Sequence, residues 1–141
     1  MDLPIIDTSK VSIEIRNLIP KIQKERKNFI IKQLSELKGK SYLNKDLDIY
    51  IFITSDSIKE IAEYASKSYK TTISALAIVD IIKESKYIKT DKPKEGNQTK
   101  IFHFADLYIL GCRSIETGKM KMTVGIRKEG KHLIYCISKL N

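Results

Sequence analysis

The sequence predicts an α+β fold in which N-terminal helices pack on a C-terminal antiparallel sheet of about four strands. Residues 20–90 carry apolar side chains at helical spacing with one strand-like run among them, and residues 99–141 alternate apolar and polar as strands do. The strands therefore follow the helices instead of alternating with them as βαβ units. At 141 residues the chain is expected to form a single α+β domain over 1–141, with 1–19 as an extended lead or edge strand, 20–90 helical with one strand, and 99–141 the sheet.

Taken in order, Pro4 to Ser9 reads as an extended lead, and Val11-Ser-Ile-Glu-Ile15 alternates as an edge strand would. Pro20 stands where a helix would start; Ile22, Phe29, Ile30, Leu34 and Leu37 recur at helical spacing until Gly39 offers a C-terminal cap. The lysines and Arg26 on the other side of that helix suit either a solvated face or a phosphate track. Asp48 to Thr54 reads as a central strand buried on nearly both faces. Ser57 with Glu60 forms a capping box for a second helix reaching Tyr64 to Ser66. A third helix runs from Thr72 to Ser85, and a polar loop follows over Lys89 to Gln98.

The sheet is expected from Lys100 to Gly111, Met120 to Lys128 and Lys131 to Leu140. In the middle strand Met120, Met122, Val124 and Ile126 alternate with Lys121, Thr123, Gly125 and Arg127. A two-residue turn at Glu129-Gly130 would pair Arg127 with His132, Thr123 with Cys136 and Lys121 with Ser138, all six on one face. The face occupied by His103 depends on the loop between Gly111 and Gly118. A two- or four-residue turn puts Asp106 and Tyr108 beside Arg127, and a three-residue turn puts His103 and Leu107 on the face of Lys121, Thr123 and Arg127.

Lys+Arg 26 against Asp+Glu 17 gives a net charge of +9 and a pI near 9.5, which attracts polyanions through a salt-sensitive field. An AT-rich coding bias toward lysine would give the same balance. Cys112 and Cys136 lack CxxC spacing and read as small strand residues in a reducing compartment. With scattered carboxylates and distant histidines, the chain is expected to hold no metal, and without a P-loop or dinucleotide fingerprint it calls for no cofactor. No apolar run reaches membrane-spanning length and no signal peptide is evident, so the domain is expected in the cytoplasm, or delivered into a target cell's cytoplasm by another segment.

A polar, basic face bearing imidazoles can bind RNA and move protons. Cleavage without metal needs a base for the 2′-hydroxyl, an acid for the leaving 5′-oxygen and cations for the phosphorane. His103 and His132 are the two histidines available; a core role for His103 and a simple surface role for His132 are the structural alternatives. No nucleophile-elbow glycines flank a serine, and Cys136 inside a strand lacks the exposure a nucleophile needs.

Leu37-Lys-Gly-Lys-Ser-Tyr-Leu-Asn44, the Ile49 to Ile53 strand leading into Ser55-Asp-Ser-Ile58, and Ile101-Phe-His-Phe104 followed by Met122 to Ile126 resemble the large polyvalent-protein-associated domains of phages and conjugative elements. The resemblance spans the chain from about Pro20 onward. In layout the chain is also similar to the barnase, EndoU, colicin and RelE group of small metal-independent ribonucleases used as toxins. That similarity implies a catalytic sheet face with His103 on the first strand, Lys121, Thr123 and Arg127 on the second, and His132, Tyr135 or Ser138 on the third. Arg127 and Ser138 would hold phosphate. It further implies RNA as substrate and a cognate immunity or antitoxin protein as partner. The sheet has no recognisable acid–base glutamate, so a histidine- or lysine-based mechanism fits better than a barnase-like one. The rival expectation is a non-catalytic nucleic-acid-binding or inhibitory accessory domain of a mobile element. A protein-interaction role is a third.

Overall fold

The computed structural model describes residues 2–93 and 104–140. These form five α-helices and a mixed sheet of seven strands, β1 (Ile5–Ile6), β2 (Ser41–Asn44), β3 (Ile49–Phe52), β4 (Lys86–Asp91), β5 (Asp106–Ser114), β6 (Gly118–Ile126) and β7 (His132–Lys139). The α+β class stands; the expected sheet of about four antiparallel strands does not. The sheet order is β1-β5-β6-β7-β3-β2, with β4 also on β5, and the β1–β5 and β3–β7 pairs are parallel. Strands β2 and β4 escape a pattern reading because neither carries a clean run of apolar or β-branched residues, and the second half of β4, Lys89 to Asp91, lies in the stretch that reads as a polar loop.

The helices are α1 (Ile13–Leu18), α2 (Gln23–Leu34), α3 (Ser55–Ala65), α4 (Tyr69–Leu76) and α5 (Ile78–Glu84). Where an edge strand was expected over Val11 to Ile15, Ser12 instead caps α1 by accepting from the Ile15 N–H, and the strand at this end is Ile5–Ile6. Helix α2 tightens into a 3₁₀ turn over Ser35–Leu37, and Gly39 leaves it at φ +81°, so the stop signal lies where the sequence puts it. The capping box of α3 is Thr54 with Ser57, three residues ahead of the Ser57–Glu60 box expected. The expected third helix is two helices: Ser68 caps α4 with Thr71, and the chain breaks at Ala77 before α5.

Helices α2 to α5 cover one face of the sheet. Ile30 and Leu34 of α2, Ile58, Ile61 and Ala65 of α3, Ile73 of α4 and Ile78 and Ile82 of α5 meet Ile51, Leu110, Met120, Met122, Val124, Ile134 and Ile137 in one core. Ser57 Oγ donates to the Ile134 carbonyl, fixing the start of α3 against β7. Asn44 is buried and donates to the carbonyls of Ile82 (2.8 Å) and Ser85 (2.9 Å) while accepting from the Leu47 N–H, so α5 is tied to β2. Strand β3 has neighbours on both sides, but only one of its faces is fully buried: Ile51 lies in the core and Tyr50 is 59 % exposed.

Candidate functional site

The side chains opposite the helices are set by the two hairpins that join β5, β6 and β7. Ser114 pairs with Gly118 across a three-residue loop, Ile115-Glu116-Thr117. This is the case in which Leu107 joins the face of Lys121 and Thr123, and it does so opposite Gly125. His103 itself lies outside the described residues.

The β6–β7 turn differs from the expected two-residue turn. Gly130 N–H donates to the Arg127 carbonyl (2.8 Å), Arg127 N–H donates to the Lys131 carbonyl (2.9 Å), and Gly130 has φ +89°. The loop is therefore Lys128-Glu129-Gly130, a type I turn followed by a glycine in the left-handed region. It moves the pairing near the turn by one residue, so His132 lies opposite Ile126 and not opposite Arg127. Farther along, the register shifts back between Thr123 and Val124, with Tyr135 as the extra residue of a bulge. The two shifts cancel. Thr123 therefore pairs with Cys136 and Lys121 with Ser138 as expected, while His132 is carried to the helix-side face.

There His132 stacks on Tyr108, with ring centroids 5.8 Å apart and planes 20° apart, and burial lowers its pKa from the usual value. The expected constellation thus divides. Lys121, Thr123 and Ser138 stay on the second face, Thr123 buried and the other two half-buried. Arg127 and Tyr135 lie at the hairpin end, where both line a cleft of about 80 Å³ with Thr54, Asp56, Ser57 and Phe104. The imidazole of His132 faces elsewhere. Cys136 is a poor nucleophile because burial, above all, raises its thiol pKa; Thr123 and Lys121 act against that shift and Glu60 adds to it.

The second face is basic at both ends and covered at its centre. Leu3 and Ile88 close over Gly111, and the Phe104 ring lies against Gly125. At one end Arg113 stands directly opposite Lys119, both exposed, with Lys121 two residues on. At the other, Arg127 lies 5.8 Å over the Phe104 ring and Lys131 Nζ lies 4.5 Å over the Phe52 ring. Arg113, Lys119, Lys131, Tyr50 and Phe52 are absent from the expected site. The three-residue loop is the signal that would have placed Arg113 and Lys119, since it sets their parity against Lys121. Tyr50 and Phe52 read as core from their neighbours in sequence.

Among the described residues no three His, Cys, Asp or Glu side chains come together as metal ligands, and no helix is long and apolar enough to cross a membrane. No curated protein and no solved structure matches the chain. One family does: the large polyvalent protein-associated domain 3, over residues 21–131. That stretch includes β2 to β6, the helices α2 to α5 and the turn into β7, so it contains most of the sheet face just described. The chain belongs to the family of large polyvalent protein-associated domain 3.

Proposed function

We propose that the domain binds nucleic acid through the second face of its sheet, as a non-catalytic accessory module of a polyvalent protein from a phage or another mobile element. The observation that carries this reading is the direct opposition of Arg113 and Lys119 beside Lys121. Like charges facing each other across a strand pair repel. Along β5, β6 and β7 this face carries no carboxylate among the described residues to offset them. A polyphosphate backbone would supply the missing counter-charge, and the net charge of +9 would draw it in. The displacement of His132 to the other face supports binding over cleavage.

The test is RNA affinity as a function of salt. Replacing Arg113, Lys119 and Lys121 together by Gln should lower affinity and reduce the slope of log K against log salt by about 2, as expected for three lost phosphate contacts to a single strand. No binding at low salt, or an unchanged slope, rejects the reading.

A metal-independent endoribonuclease of toxin or phage-effector type is the second reading, and one observation favours it: Arg127 and Tyr135 line one cleft with Asp56. In that case Arg127 would hold the scissile phosphate and Tyr135 or His103 would move the proton. Lys121, Thr123 and Ser138 would hold the strand farther along. RNA cleavage in EDTA that is lost in Arg127→Gln, with folding intact, would select this reading over the first.

A further inference from the structure

The rows of the sheet bring aromatic rings to the same face as the hairpin cations. Phe52 pairs with Leu133, Leu133 with Gly125 and Gly125 with Leu107, so these four residues form one row across β3, β7, β6 and β5 on the face away from the helices. Tyr50 lies two residues before Phe52 on β3 and therefore shares that face, about 6.6 Å along the strand. Ile51 and Ile53, on either side of Phe52, point into the core. Tyr50 is 59 % exposed and Phe52 is half-buried, with the Lys131 ammonium over its ring. Tyr135 is half-buried at the bulge, edge-on to Phe104 at 6.1 Å, and the Arg127 guanidinium lies over Phe104.

An exposed tyrosine on a sheet strand, followed on the same face by a phenylalanine whose ring is held by a movable ammonium, has a specific ligand chemistry. Such rings offer flat apolar surface that water solvates poorly, and the cations beside them suit phosphates. A duplex keeps its bases stacked inside and cannot present a ring to Tyr50 or Phe52. An unpaired strand can.

Resting on the nucleic-acid reading of this face, we infer that the hairpin end selects single strands, with successive bases stacking on Tyr50 and Phe52 and the backbone held by Lys131 and Arg127. On binding, the Lys131 ammonium leaves the Phe52 ring for a phosphate and a base takes its place. The basic end at Arg113, Lys119 and Lys121 supplies affinity without this selectivity, because charge alone does not distinguish strand number.

The experiment compares a single-stranded oligoribonucleotide with its blunt duplex on the full chain at one low salt concentration, using Tyr50→Leu and Phe52→Leu beside the unchanged protein. The single strand should bind at least about tenfold more tightly, and each substitution should weaken it by about fivefold or more while moving duplex affinity little. Tyrosine fluorescence should be quenched by the single strand, and less so in Tyr50→Leu. Thermal unfolding of Phe52→Leu separates a lost stacking surface from a lost fold. Equal affinity for the two probes, or unchanged single-strand affinity in Tyr50→Leu, overturns the inference and leaves the nucleic-acid reading standing. Absence of binding to both probes overturns the two together.

Discussion

His132 lies opposite Ile126, on the face that also carries Val124, Ile134 and Tyr108, because the three-residue turn Lys128-Glu129-Gly130 precedes the bulge at Tyr135. That pairing predicts a disulfide. With Cys112 and Cys136 changed to Ser, cysteines at Ile126 and His132 should cross-link under mild oxidation, and cysteines at Arg127 and His132, which point to opposite faces, should not. Non-reducing electrophoresis with mass analysis reads the result. Cross-linking of the second pair and not the first would restore the two-residue turn and return His132 to the face of Arg127.

The same hairpin shows where the sequence is legible. Alternation over Met120 to Ile126 identifies β6 and its apolar face because helices cover only one side of the sheet, and the Met122, Val124 and Ile137 core follows. Spacing of 3.6 residues locates α2 and α3 for the same reason, since each buries one stripe. Their starts are misplaced: α2 begins at Gln23 with no side-chain cap instead of at Pro20, and α3 is capped by Thr54. Bulges and loop lengths carry no periodic signal. The extra residue in the turn and the extra residue at Tyr135 compensate, so the far pairings Thr123–Cys136 and Lys121–Ser138 are recovered from a wrong turn. The site is less legible than the fold, since a change of one residue in a loop exchanges His132 for Leu133 on the functional face. Val11 to Ile15 shows the converse: five alternating residues fit either element, and the Ser12 cap decides for the helix.

Burial lowers the pKa of His132, and this gives stability a pH dependence. The unfolded imidazole, at its ordinary value of 6.5, takes up a proton before the folded one does. Stability should therefore fall as pH drops through about 6.5 and go on falling until the folded imidazole is also protonated. Asp106, in the same row across Ile126, is held by Lys92 at 2.6 Å. The variant His132→Phe keeps a ring against Tyr108 and removes the titration, so its urea midpoint should vary less between about pH 7 and pH 5 than that of the unchanged protein. Parallel pH profiles would show that His132 does not feel its burial.

Both thiols should react slowly in the folded protein. Burial pushes Cys112 up to about 11 and raises Cys136 as well, so neither holds much thiolate near neutrality. Cys136 is half-buried and Cys112 fully buried, which orders their access. Ellman's reagent at about pH 7.5 should label Cys136 first and Cys112 only on a timescale set by opening of the fold, and urea should make both fast. Rapid folded-state labelling of Cys112 would place β5 outside the core.

Gly125 determines how Phe104 covers the cation-bearing end of the second face. A Cβ at Gly125 would come within 2.5 Å of three carbons of the Phe104 ring, closer than any real contact, so Gly125→Ala must move the ring. The ring packs with Leu107, Leu133, Phe52 and Tyr135 and carries the Arg127 guanidinium, so it cannot shift without disturbing them. The substitution should cost about 1–3 kcal/mol of unfolding free energy, the range for overpacking a well-filled site. Because Gly125 pairs with Leu107 and Leu133 in the middle of the sheet, the backbone has little room to absorb the methyl instead. If the ring is the obstacle, the cost is conditional on it. In a Phe104→Leu background, Gly125→Ala should cost clearly less than in the unchanged protein, giving a coupling of at least about 0.5 kcal/mol in a double-mutant cycle from urea unfolding. Strict additivity would mean that Phe104 does not rest on Gly125, and the cleft it shares with Arg127 and Tyr135 would lose its floor.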